Sequence, residues 1–315
     1  MFSTSRTVDG TIMNIFYNVS RIGLSALTIF TLTSVSVSSP CEASETSRKY
    51  ENLPFDKDYL ETQALGINDA GTIVGTCING NESFGQHGYI FKNGTLKKID
   101  IPNRVFTTPQ SISNKDDVVG TCALKSDGPN SIPFRMHHGA ITFMKRFGVE
   151  TVPFSINNKG EVVGFFNNGI FSDTAFDISP NGKVAKFRYA NSHDIRFTSI
   201  NSKGEIAATC TKWIGTGNIV CFGVLRKQGK WIELPAPPGA LSWRCMGIND
   251  SGDIVGEFDD IDKYKHGFVL HGAHFEVLDD PLANHYTSPT SINNNGTIVG
   301  YYQDTQGHQH GFITR

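Results

Sequence analysis

The chain has 315 residues, with 28 Lys+Arg against 30 Asp+Glu and a formal net charge of −2. That balance, with no basic run or stripe, gives nucleic acid no electrostatic footing as a partner. The length past residue 43 is enough to bury a large core without metal or disulfide staples.

Arg6 and Arg21 lie in a polar opening segment, followed by a moderately apolar stretch from Ile22 to Val37. Small residues then lead to Cys41-Glu42-Ala43, which reads as a cleavage site after Ala43. Residues 1–43 are therefore expected to be a signal peptide, and residues 44–315 a single exported domain, secreted or periplasmic. The apolar stretch is short and rich in Ser and Thr, which favours a leader over a membrane span. No second apolar span follows, so a mature chain without a membrane span is expected.

Six copies of one motif come next. GINDAGTIVG opens at Gly66, SISNKDDVVG at Ser111, SINNKGEVVG at Ser155, SINSKGEIAA at Ser199, GINDSGDIVG at Gly247 and SINNNGTIVG at Ser291. The isoleucines Ile67, Ile112, Ile156, Ile200, Ile248 and Ile292 are separated by 45, 44, 44, 48 and 44 residues. Periods of that size mark repeat architectures. In the fifth copy, SWRCMGIN, DIVGEF, HGFVL and HFEVL read as four strands with turn signals between them. The glycine four residues after the isoleucine supplies the positive φ of a tight hairpin. Asp116 replaces it once, and Asp tolerates that conformation better than most residues. Asn68, Asn157, Asn201, Asn249 and Asn293 sit at the hairpin entry, where an Asn side chain bonds nearby backbone.

Four-stranded units of this length stack radially. The expected fold is all-β: a six-bladed β-propeller of four-stranded blades. The last repeat ends at Phe312-Ile313-Thr314 without a fourth strand. Tyr50-Glu51-Asn52-Leu53-Pro54 matches Trp231-Ile232-Glu233-Leu234-Pro235, and Leu53, Leu234 and Leu278 each stand fourteen residues before an isoleucine of the motif. The N-terminal strand should thus complete the last blade and close the ring, removing an open edge.

The repeat resembles the HAF family of extracellular repeats, in which a His-x-aromatic strand is followed by the Ile-Asn-x-x-Gly motif. The matching residues are His87-Gly88-Tyr89, His266-Gly267-Phe268 and His310-Gly311-Phe312, with Thr174 and Phe222 in place of His in two other repeats. The resemblance covers the whole mature chain. It implies an exported bacterial protein and carries no catalytic residues.

Local signals for catalysis are absent: no nucleophile elbow, no His-Glu-x-x-His helix and no phosphate-cradling glycine loop. No catalytic residue, metal or cofactor is expected. His87, His266 and His310 recur too far apart in such a ring to share a metal. Asp259, Asp260 and Asp262 lack calcium-loop spacing and read as a solvated loop. Cys77, Cys122 and Cys210 share a repeat position with Phe166, Phe258 and Tyr302, as buried small hydrophobes would. Cys210 and Cys221 flank a hairpin loop and are a possible disulfide.

The loops joining fourth to first and second to third strands open on one face of the ring, and loops on a rigid scaffold commonly carry function. Conspicuous there are Arg104, Phe106, Arg196, Trp213, Trp243, Arg244, Tyr286 and Asp304. Arg196 and Arg244, each four residues before its isoleucine, could bind an anionic group such as a uronate. Trp243 and Tyr286 could stack on a sugar. Arg and Trp bracing the blade interfaces is the plainer reading. The sequence thus points to an exported, monomeric, non-catalytic protein that binds an extracellular glycan or a cell-surface protein. A polysaccharide lyase or glycoside hydrolase using the same face is the enzymatic alternative, and a structural or protein-interaction module of the cell surface is the third.

Overall fold

The computed structural model describes residues 7–8, 11–12, 48–55, 59–80, 86–124, 131–169, 173–190, 192–215 and 217–314. Two compact units are distinguished, Met1–Pro40 and Cys41–Arg315. In the first, Thr7–Val8 and Thr11–Ile12 pair antiparallel. The rest of the expected leader, with its cut after Ala43, lies outside the described residues. In the second unit, every regular element among the described residues is a strand. No helix there is long and apolar enough to cross a membrane.

The second unit is a β-propeller. Four of its sheets hold four antiparallel strands each, and a fifth sheet holds eight. The expectation of six separate blades is corrected to that extent. Within the large sheet, Tyr59–Ile67, Ile73–Asn79, Gln86–Lys92 and Thr95–Ile99 pair in order, as do Phe106–Ile112, Val118–Ala123, Ile132–His137 and Ala140–Phe143. A single parallel pairing, Gln86 with Phe106, joins these two sets. The short connection from Asp100 to Val105 brings the start of the second repeat's inner strand beside the first repeat's third strand. The Gln86 side-chain amide then donates to Thr108 Oγ1 at 3.3 Å.

The expected closing strand is present. Thr287–Ile292, Ile298–Gln303 and Gln309–Thr314 form three strands of the last sheet, and Tyr50–Asn52 is the fourth. Tyr50 pairs with Thr314 and Asn52 with Phe312, and Leu53 N donates to Gly311 O at 3.0 Å. Just upstream, Arg48 donates to both Glu276 carboxylate oxygens, at 2.6 and 3.0 Å.

The motif's residues act at the joints between repeats. Every inner strand slips register just before its isoleucine, for example between Pro109 and Ser111 and between Cys245 and Gly247. Such a bulge bends the strand locally. It brings Ser111, Ser155 and Ser199 to where their hydroxyls accept the amides of Ile156, Ile200 and Ile248 in the next repeat, at 3.2 to 3.4 Å. Where the motif has Gly66 instead, a side chain would be crowded: a Cβ there would lie 2.9 Å from the Ser111 Cα. In the turn that follows, the repeat's glycine has positive φ, and Asp116 takes the same conformation at φ 60°.

Candidate binding face

The two ends of the propeller have different chemistry. At the turn end, Asn68 Nδ2 donates to Ser113 O, Asn157 to Asn201 O, Asn201 to Asn249 O, Asn249 to Asn293 O, and Asn293 back to Asn68 O, at 3.0 to 3.3 Å. The six turns therefore follow one another in a closed circle. One link is missing, from Ser113, whose side chain has no amide. The residue after each Asn or Ser forms a second circle. Asp69 N donates to Asn114 Oδ1, Asn114 N to Asn158 Oδ1, Ser202 N to Asp250 Oδ1, Asp250 N to Asn294 Oδ1 and Asn294 N to Asp69 Oδ1, while Asn158 Nδ2 reaches Ser202 Oγ. These turns line a central depression of about 70 Å³. Its polar groups are occupied in holding the ring, so this end is structural.

At the loop end the structure brings Arg244 and Tyr286 together and distributes the other predicted residues elsewhere. Arg244 Nη1 lies 3.1 Å from Glu257 Oε1 and 3.6 Å from Asp259 Oδ2. Lys265 Nζ meets the same two carboxylates at 3.3 and 2.6 Å, and sits 5.5 Å over the Tyr286 ring. The Tyr286 ring stacks on Tyr301 at 5.9 Å, with the two hydroxyls 3.5 Å apart. Two cations, two anions and two phenols thus occupy one partly exposed patch between the fifth and sixth repeats. Burial pushes the Tyr286 phenol well above its usual range, and the Tyr301 phenol and Glu257 push the same way. Burial disfavours charge on Arg244, but the neighbouring Cys221, Glu257 and Asp259 hold its pKa above the ordinary value.

Arg196 is apart from this patch. Its Nε lies 2.5 Å from Asp173 Oδ2 of the preceding repeat, and its guanidinium stacks 4.5 Å over Phe165. Each arginine of the expected anion clamp already faces a carboxylate. Arg104 stacks 5.1 Å over Phe143, on an outer strand. Asp304 serves its own loop: Oδ1 accepts the amides of Gln306 and His308, and Oδ2 meets His310 Nε2 at 2.8 Å. Burial would raise its pKa, but those hydrogen bonds and the His310 charge lower it.

Trp243 does not stand on the loop face. Only 4% exposed, it packs edge-on against Phe268 at 6.0 Å, over Gly223, where a Cβ would lie 2.3 Å from the indole. The expected sugar-stacking role is corrected to a core role, because Gly223 in the neighbouring repeat leaves a slot that the indole fills. Trp213 is the exposed tryptophan, at 53%. It projects on a hairpin made of Ile206–Ile214 and Asn218–Lys227, strands of nine and ten residues. The 48-residue spacing carries the insertion that lengthens this hairpin.

The possible disulfide is also corrected, for Cys210 and Cys221 are both free. Cys210 pairs with Phe222 and Thr211 with Cys221, a one-residue offset that sends the two sulfurs to opposite faces of the sheet. Burial raises the Cys210 thiol to about 12, which suppresses its thiolate at neutral pH. The sequence reading missed Glu257, Lys265 and Tyr301 as members of the patch. The hairpin register that pairs Arg244 with Glu257 follows from the motif and could have found the first of them.

No protein-family model and no curated protein matches the chain. Solved structures do share its fold. A TolB candidate from Agrobacterium tumefaciens superposes with a TM-score of 0.56 at 10% identity, covering 80% of this chain and 90% of that one. A mutant of AofleA from Arthrobotrys oligospora gives 0.50 at 11% identity, covering 87% and 89%. TolB from Acinetobacter baumannii gives 0.49 at 13% identity; the match takes in 82% of this chain but spans only 54% of that protein's length. At these identities the likeness is one of fold.

Proposed function

We propose that this protein is an exported, monomeric six-bladed propeller of the HAF-repeat kind that binds a glycan of the cell envelope or its surroundings through its loop end. Six turns in one circle support the blade count, with the eight-stranded sheet read as two blades touching at one residue pair. The observation that carries the binding reading is the patch of Arg244, Glu257, Asp259, Lys265, Tyr286 and Tyr301. Its formal charges cancel, so it offers hydrogen-bond donors and acceptors beside aromatic faces without a net attraction for anions. That combination suits the hydroxyls and apolar ring faces of an uncharged sugar better than a uronate. Both carboxylates of the patch, Glu257 and Asp259, are engaged by Arg244 and Lys265, which favours recognition over turnover.

The test is a glycan array probed with the labelled mature protein, alongside Arg244→Ala and Tyr286→Ala variants checked for unchanged melting. Binding of a neutral glycan that weakens at least tenfold in both variants is expected. Equal binding by all three proteins would move the site elsewhere. No binding by the parent to any glycan, or new reducing ends released from one, would replace the reading.

A further inference from the structure

Three histidines open the third strand of their repeats, and two of them are held alike. His87 Nδ1 lies 2.8 Å from Asp100 Oδ1, and His266 Nδ1 lies 2.8 Å from Asp279 Oδ2. Each aspartate directly follows the outer-strand residue, Ile99 or Leu278, that pairs with the glycine after the histidine. In the sixth repeat that outer strand is the N-terminal one, with Leu53 bonded to Gly311. The residue in the aspartate's place is Pro54.

His310 nonetheless keeps the other half of the arrangement. Its Nε2 lies 2.8 Å from Asp304 Oδ2, as His266 Nε2 lies 3.3 Å from Asp260 Oδ2. Its Nδ1 has no hydrogen-bond partner among the described residues. A cavity of about 380 Å³ opens there, bounded by Pro54, Phe55, Tyr59, Leu60, Thr62 and His310. That volume falls within the range of small-molecule sites, whose walls are mostly apolar and aromatic with a few placed polar groups. The Phe55 and Tyr59 rings meet edge-on at 6.0 Å, and Lys98 Nζ lies 5.2 Å over Tyr59, adding positive charge near the rim.

We propose that this cavity binds a carboxylate carried on a six-membered ring. The ligand's carboxylate takes the place that Asp279 holds in the fifth repeat and accepts a hydrogen bond from His310 Nδ1. Its ring lies against Phe55, Tyr59 and Leu60. With Nε2 facing Asp304, the ring then stands between two carboxylates, as His266 stands between Asp279 and Asp260. The inference is independent of the patch around Arg244, which shares no residue with this cavity.

Calorimetric titration of the mature chain with benzoate and with glucuronate, against benzamide and glucose, tests it. One of the two acids should bind at least tenfold more tightly than its neutral counterpart, and which acid does so separates an aromatic ligand from a sugar acid. Pro54→Asp supplies the missing carboxylate from within and should lower the affinity at least tenfold, as should His310→Phe. Leu60→Trp narrows the cavity from its exposed wall and should also weaken binding, which covers the case in which Pro54→Asp disturbs the closing strand. Failure of both acids to bind the parent would overturn the proposal, as would undiminished binding by Leu60→Trp or by a normally folded Pro54→Asp.

Discussion

The two ends of the propeller are made by the same repeats but solve different problems. At the turn end each repeat presents the same short hairpin, and the side chains that fill it bond the next repeat. At the loop end the connections differ in length and composition, and polar groups pair differently from repeat to repeat: Arg196 with Asp173 of the preceding repeat, Asp304 with His310 and Lys265 with Asp259 within their own. A ring needs one self-consistent joint repeated until it closes, and that end has little freedom left to evolve a ligand site. The other end is free to vary because the ring is already held.

If that division is right, the largest loss of stability should come from the ring's seam. Removing residues 48 to 55 takes away the closing strand, the buried Leu53 and the Arg48 partner of the nearly buried Glu276. Losses of this kind sum to more than ~4 kcal/mol. Chemical denaturation should show early, broad unfolding, and an unchanged midpoint would remove the closing role. A single joint should matter less. Asn201→Ala deletes donors to Glu205 Oε2 and Asn249 O and an acceptor for the amides of Lys203 and Glu205. Leaving those buried groups unpaired costs about 2–4 kcal/mol. The reverse change sharpens the same point. Ser113→Asn would supply the missing link toward Asn157 and should stabilise by roughly 1 kcal/mol. A destabilised Ser113→Asn protein would mean that the circle of amides is incidental.

This asymmetry also explains what could be read from the amino-acid sequence. The turns and the positive φ at Asp116 are decided within one period of the repeat, and the strand Tyr50–Asn52 was legible from its match to another repeat's outer strand at the same spacing from the motif. The site residues were legible only in part. Arg244 and Tyr286 do meet, but the fates of Trp243 and Arg196 depend on Gly223 and Asp173, which belong to other repeats. The disulfide failed on a one-residue register offset, which spacing alone does not fix. Packing across repeats is a long-range matter, and no local pattern encodes it.

A smaller effect is expected from pH at the fifth repeat's loop corner. Burial disfavours the charged His266, but hydrogen bonds and charge from Asp279 and Asp260 outweigh it and raise its pKa. A raised folded-state value means that the stabilisation is complete below the unfolded value, near ~6.5, and is lost as pH rises through the folded value. Asp260 behaves oppositely: its pKa is lowered, so its contribution is present above the unfolded value and lost as pH falls through the folded one. Melting temperature recorded against pH should therefore decline, as pH rises past about 6.5, more in the parent than in His266→Gln. Parallel curves would show that the corner is electrostatically idle.

The least effect on stability is expected where the loop end reaches furthest from the ring. Trp213 and Ile219 face each other across the projecting hairpin, and both stay about half exposed, at 53% and 49%. The ring contact of Trp213 is an edge-on approach to His193 at 5.8 Å. Little apolar surface leaves water there on folding, so Trp213→Ser should shift stability by no more than ~0.5 kcal/mol. The comparison becomes sharp when this variant is set beside Asn201→Ala in the same repeat. One replaces the largest side chain type in the protein and the other a small amide, yet the small one should dominate. A Trp213→Ser protein that melted as early as Asn201→Ala would mean that the hairpin braces the ring, and the separation between a holding end and a free end would fail at that repeat.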